Sequence, residues 1–192
     1  MNVEIGMDRK LVEEHVRGIL QLIGENPERE GLKETPKRVA KMLEEVFSGV
    51  GIRPEEALTT TFEEKYEGMI VVKDISYYTF CEHHLIPFFG KAHIGYIPND
   101  RIVGLSKFAR LVELTAKRPQ VQERMSQQIA DAIMNVLRPQ GVMVAVEGQH
   151  LCMCARGIKK PGSATVTTIK KGVFAEDISL VREFEQALLR GE

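Results

Sequence analysis

No stretch of this chain of 192 residues approaches the ~18 consecutive apolar residues that a membrane span needs. Met1 to Lys10 likewise lack the apolar core of a signal peptide. Charge of one sign is missing too: 26 Lys and Arg face 27 Asp and Glu, a formal net charge of −1. That balance argues against a protein that coats duplex nucleic acid, which carries a basic surplus. The expectation is a soluble, cytoplasmic protein with neither a nucleic-acid nor a membrane partner. Cysteine is scarce and odd in number, at three, and Cys152 and Cys154 stand one residue apart, a poor basis for a disulfide framework. Reduced thiols, available to a metal or to catalysis, are the better reading. Of only five histidines, two are adjacent, His83 and His84, and they lie beside the remaining cysteine, Cys81.

What is present suffices for a folded domain with an arm. With 43% hydrophobic residues the chain can bury a core. Val12, Val16, Ile19, Leu20 and Ile23 recur at helical spacing and stop at Gly24. Thr35 as cap and Pro36 at the first helical position announce a second helix with a stripe of Val39, Met42, Leu43, Val46 and Phe47. From Ile70 the texture turns to strand, with apolar runs over 69–75 and 91–97. Pro98-Asn99-Asp100 reads as a turn and Arg101 to Val103 as the return strand of a hairpin. Helices follow over 106–116 and 120–137, then a strand over 142–146 that continues through 149–154, a Thr-rich alternating strand over 164–170, and a last helix over 179–190. Strand pairs segregated from helix pairs predict an α+β fold with an antiparallel sheet. The division expected is a helical arm over 1–60 and a catalytic domain over 61–192.

The rare ligand residues fall in two short stretches. Cys81-Glu82-His83-His84 sets a thiol and an imidazole three positions apart, so that one turn presents both to a single ion. His150-Leu151-Cys152-Met153-Cys154 offers a third ligand: in an extended chain His150, Cys152 and Cys154 share one face, and any of them reaches the same ion. Thiolate and imidazole donors favour Zn²⁺; three protein ligands leave a position open for water, and four close it. A lone strand cysteine is more often an inert small hydrophobe, the reading adopted for Cys154. His93 reads as a hydrogen-bonded strand residue and His15 as a surface or packing residue. Ser106, Lys107 and Arg110 at a helix start suit an anion, although a solvated face is the commoner meaning of such charges. Arg156 follows the second ligand stretch closely, and Gln122-Glu123 puts a carboxylate in the first turn of the long helix.

Beyond these signals, the order of motifs along nearly the whole chain resembles the GTP cyclohydrolase I family. They are Cys81-Glu82-His83-His84-Leu85 with Pro87-Phe88-Phe89-Gly90, Gly104-Leu105-Ser106-Lys107, Arg118-Pro119-Gln120-Val121-Gln122-Glu123-Arg124, His150-Leu151-Cys152-Met153 with Ala155-Arg156-Gly157, and Arg29 to Ala40 in the arm. The resemblance implies a T-fold (tunnel fold), in which the antiparallel sheets of neighbouring subunits join into a barrel, and a homodecamer with sites at subunit interfaces. It implies the conversion of GTP and water into formate and 7,8-dihydroneopterin triphosphate, on the route to tetrahydrofolate. It also implies one Zn²⁺ per subunit on Cys81, His84 and Cys152, a metal that lowers the pKa of bound water towards ~7 for attack at C8 of guanine. By the same resemblance His83 and His150 handle protons, Ser106 assists near the sugar, and Glu123 with Gln122 holds the guanine edge. Lys107, Arg110, Arg156 and Lys41, with Arg38 a further candidate, clamp the triphosphate. Two other readings compete: a T-fold nitrile reductase, which needs a Cys nucleophile and reduced nicotinamide, and a structural zinc module with four protein ligands, Cys154 included.

Overall fold

The computed structural model describes residues 6–190. Met1 to Ile5, which open both the segment searched for a signal peptide and the expected arm, lie outside the described residues, as do Gly191 and Glu192. The chain divides into two compact units, Met1–Gly51 and Ile52–Glu192. The boundary precedes the expected one because the segment after Ile52 packs into the second unit. Ala57 and Leu58 enter its core, and Arg118 donates to the Ile52 carbonyl at 2.8 Å.

The first unit is a helix pair, α1 (Arg9–Leu22) and α2 (Thr35–Val46). Asp8 caps α1 by accepting from the Leu11 N–H at 3.0 Å, and Gly24, at φ 88°, ends it. Arg9 is ion-paired with Glu44, tying the two helices. Thr35 is not a cap: Glu34 precedes the helix in helical conformation without a side-chain cap bond, and Thr35 already donates its N–H to Leu32, which draws it into the helix.

The second unit contains β1 (Thr61–Glu63), β2 (Ile70–Cys81), β3 (Pro87–Ile97), β4 (Arg101–Val103), α3 (Ser106–Ala116), β5 (Pro119–Gln120), α4 (Gln122–Leu137), β6 (Gly141–His150), α5 (Leu151–Cys154), β7 (Thr165–Gly172), α6 (Val173–Glu176) and α7 (Ile178–Leu189). The fold is α+β, as expected. Five strands form the main sheet in the order β5-β2-β3-β6-β7, antiparallel except for the short β2–β5 contact. Because strand side chains alternate between faces, Tyr77, Thr79 and Cys81 on β2 turn towards α3 and α4 and are buried, whereas Tyr78 is 72% exposed. The main core joins this face to Phe108, Leu111, Met125, Ile129 and Ile133 of the two helices. A smaller cluster, Met143 and Ala145 with Phe174, Val181 and Phe184, seats α7 on the opposite face.

Three expectations are corrected. Arg101–Val103 pairs with Thr61–Glu63, not with the preceding strand. The reason is that β3 is central, with both edges taken by β2 and β6 up to Ile70↔Tyr96 and Ile97↔Gly141. The long helix begins at Gln122, since Pro119 and Gln120 run beside Phe80 and Cys81 as a parallel rung. Finally, 149–154 is not extended throughout: the strand ends at His150 and one helical turn, α5, follows. The last ladder pair is Phe88↔His150; one step further stands Pro87, which has no N–H to donate to another rung.

Candidate active site

Cys81 closes β2 at the edge of the main core, and the chain turns at once. Its N–H donates to the Ile86 carbonyl at 2.9 Å and its carbonyl accepts from Leu85 at 2.8 Å. Leu85 takes a left-handed conformation, φ 50°, uncommon for a residue of its size and tolerated where the turn is pinned on both sides. This tight turn brings His84 back over Cys81, with Nδ1 3.7 Å from Sγ. From the far side of the sheet end, α5 supplies Cys152, and the ligand atoms of Cys81, His84 and Cys152 all lie within 4.8 Å of one another. Cys152 therefore reaches the cluster from a helical turn rather than from the extended face anticipated. Among the described residues this is the group of Cys, His and carboxylates that can hold a metal.

The donor chemistry fits a thiophilic divalent ion. Two thiols and one imidazole at this spacing suit tetrahedral Zn²⁺ with one position left over. Burial, and then the neighbouring Cys81, push the Cys152 thiol up, costs that a thiophilic cation binding the thiolate would offset. Cys154 stands outside the cluster, its thiol 3.6 Å from the Lys160 carbonyl. All three cysteines are free thiols.

A cavity of about 320 Å³ opens beside the cluster, lined by Cys81, His83, Gln122, Glu123, His150 and Cys152 among others. His150 lies with its ring stacked on Phe88, centroids 4.3 Å apart and planes 10° from parallel. Burial lowers its basicity, opposed in part by the Glu123 carboxylate. His83 is exposed, 3.9 Å from the Glu82 carboxylate. Glu123 stands in the first turn of α4, where the helix dipole favours a negative charge.

Gln122 is placed differently from a residue that offers its edge to a ligand. It is 1% exposed. Its Nε2 donates to the carbonyls of Val146 at 2.9 Å and Thr165 at 3.0 Å, and its Oε1 lies 3.0 Å from His150 Nε2. Sequence reasoning missed this role, as it missed Phe88 beneath His150; both contacts join residues far apart in sequence, so no local pattern announces them.

Of the remaining candidates in the second unit, none lines this cavity. Ser106, Lys107 and Arg110 open α3 and do not line it. Arg156 is exposed, close enough to Cys152 to favour its thiolate. Lys41 and Arg38 lie on α2 of the first unit. His93 is a hydrogen-bonded strand residue, as expected, its Nδ1 accepting from the Asp74 N–H at 3.2 Å.

A family model described as GTP cyclohydrolase I matches residues 12–189. A protein of Clostridium perfringens named GTP cyclohydrolase 1 is 55% identical over 174 residues, covering 91% of this chain and 94% of that one. Proteins of the same name from Thermobifida fusca and Pelotomaculum thermopropionicum are 57% identical over 173 residues and 54% identical over 186 residues. They cover 89% and 96% of this chain and 84% and 98% of their own. A crystal structure of the archaeosine synthase QueF-Like in the apo form matches with a TM-score of 0.46 at 15% identity, over 56% of this chain and 97% of that one.

Proposed function

The chain belongs to the GTP cyclohydrolase I family, and on that premise we propose that it converts GTP and water into formate and 7,8-dihydroneopterin triphosphate, the first step towards tetrahydrofolate and related pterins. The observation that carries this reading is the convergence of Cys81, His84 and Cys152 beside a cavity that also holds His150 and Glu123.

Cys81, His84 and Cys152 would hold Zn²⁺, which when bound supplies a Lewis acid and a water of lowered pKa. Glu123 accepts from the guanine N1–H and exocyclic amine, an acceptor pair that adenine cannot satisfy. His150, stacked on Phe88, exchanges a proton with the purine imidazole ring, and His83 on the metal turn is the second proton-transfer group. Hydrolysis of the opened formamide releases formate, after which the ribose rearranges and the pterin ring closes, with Ser106 assisting near the sugar. Lys107, Arg110, Arg156 and Lys41 offer cations for the triphosphate.

Ser106, Lys107 and Arg110 open α3 without lining the cavity, which favours a homo-oligomer whose sites are shared between subunits. The sheet is suited to such joining: β7 is an edge strand, and among the described residues β2 is paired on its outer side only at Phe80 and Cys81. A T-fold barrel closed by neighbouring copies, in a decamer, is the assembly proposed. No helix of the described residues is long and apolar enough to cross a membrane, and a cytoplasmic location suits the three free thiols.

Incubation with GTP tests the reading: formate must appear together with a pterin that fluoresces after oxidation. A metal-free preparation that keeps full turnover would overturn the zinc mechanism, and NADPH consumption without GTP turnover would favour a nitrile reductase instead.

A further inference from the structure

His150 is held on three sides. Its backbone is the last rung of the β3–β6 ladder, its ring lies flat on Phe88, and its Nε2 is 3.0 Å from Gln122 Oε1. The identity of that last contact follows from what surrounds the Gln122 carboxamide. The carbonyls of Val146 and Thr165 can only accept, and both stand within 3.0 Å of the same carboxamide atom. That atom must therefore be the NH₂ group, whose two hydrogens the two carbonyls take up. The other atom is then the carbonyl oxygen, which can only accept. Hence His150 Nε2 must carry a hydrogen and donate it.

A neutral imidazole with its hydrogen on Nε2 has its lone pair on Nδ1, and among the described residues no hydrogen bond reaches His150 Nδ1. We propose that Gln122 is a positioning residue that fixes His150 as the Nε2–H tautomer and leaves Nδ1 as the ring nitrogen that exchanges a proton in the cavity. Gln122 is well built for this task. It is 1% exposed, so water does not compete for its carboxamide, and its three partners span β6, β7 and the histidine. Gly148 makes room for it: a Cβ there would stand 2.5 Å from Gln122 Oε1. A histidine without such a partner samples both tautomers, and a catalytic imidazole in the wrong one presents a hydrogen where a lone pair is required.

The proposal rests on the reading of His150 as a proton-transfer group, and its test separates the two. The ¹⁵N spectrum of zinc-loaded, ¹⁵N-histidine-labelled protein, with the His150 signals identified by their loss in His150→Ala, is expected to show a protonated, pyrrole-like Nε2 and a bare, pyridine-like Nδ1. In Gln122→Ala that preference is lost, zinc content is unchanged, and kcat for formate release falls on the order of 10²-fold with little change in KM, the scale expected of a misplaced catalytic group. Thr167→Val removes a third, longer contact of Gln122 Nε2 at 3.3 Å but leaves both carbonyls, so the tautomer stays as in the unaltered protein. An Nδ1–H tautomer in the unaltered protein overturns the proposal even if Gln122→Ala does not fold, and so does an equal change in both variants. Full turnover by His150→Ala instead overturns the role of His150 and leaves the spectrum to decide that of Gln122.

Discussion

The carboxylate of Glu82 is ion-paired with the guanidinium of Arg124, linking the turn that carries Cys81, His83 and His84 to the first turns of the helix that carries Glu123. Arg124 also donates to the Gln120 side chain at 3.1 Å, and Glu82 donates its N–H to the Gln120 carbonyl at 2.9 Å. The Arg124 guanidinium holds the Glu82 carboxyl below the usual range. Arg124→Leu is expected to leave the fold intact and to speed zinc loss to a chelator several-fold. Equal rates of loss in the two proteins would mean that the backbone bonds of the turn alone set its rigidity.

The proposed metal-binding and proton-transfer roles fall on neighbouring elements, Cys152 on α5 and His150 at the end of β6. Cys152→Ala should lose zinc and turnover together, His150→Ala should keep zinc and lose most turnover, and Cys154→Ala should keep both. Metal analysis beside a formate assay reads all three. Zinc loss from Cys154→Ala would revive a closed, four-ligand site.

Glu123→Ala removes the carboxylate proposed to accept from the guanine edge. A hydrogen bond to a charged group contributes about 1.5–3 kcal/mol, so kcat/KM for GTP should fall ~10- to 150-fold. Discrimination against ATP binding should narrow with it, measured by competition.

A methyl group at position 148 would stand 2.5 Å from Gln122 Oε1 and 2.6 Å from the Tyr77 hydroxyl. Tyr77 is itself fixed by donating to the Glu147 carbonyl at 3.0 Å. Gly148→Ala should therefore push the Gln122 carboxamide aside and lower turnover while zinc content, read by metal analysis, is kept.

Acid stability has an identifiable contributor in Asp131. Burial raises its pKa, but hydrogen bonds from Lys171 and Gln127 outweigh that and hold it below the usual range. A carboxyl depressed in the folded state contributes stability that is complete above its unfolded value of ~3.9 and is lost as pH falls through the folded one. The carboxylate is 42% exposed, so screening keeps the effect of Asp131→Asn to at most about 1 kcal/mol at pH 7. Urea unfolding of the two proteins should begin to converge as pH falls below ~4 and coincide only below the depressed folded-state pKa of Asp131.

Much of this was legible in the chain itself, because the signals were local. Cys81 and His84 sit three apart on one turn, and the helices expected over 106–116 and 120–137 announce α3 and α4. What was not legible depends on partners distant in sequence. The alternation of His150-Leu151-Cys152-Met153-Cys154 reads as strand, yet a strand needs a rung, and the neighbour of Leu151 would have been Pro87. Arg101–Val103 looks like half of a hairpin, yet the strand before it had no edge left to offer. Gln122 reads as a ligand-facing amide beside Glu123 until Val146 and Thr165 are seen to occupy it.

The end of the β6 ladder at His150 divides the site by local stability. Amides of residues 141–150 are closed into a five-stranded sheet, whereas those of α5 belong to a single helical turn that opens at little cost. Hydrogen exchange should then respond to metal removal in a step: fast labelling over Leu151–Cys154, and protection nearly unchanged over 141–150. On the proposed roles, the metal-binding half of the site would behave as a local order–disorder element and the proton-transfer half as part of the rigid scaffold, so that a chain without the proposed ion would keep its histidine in register.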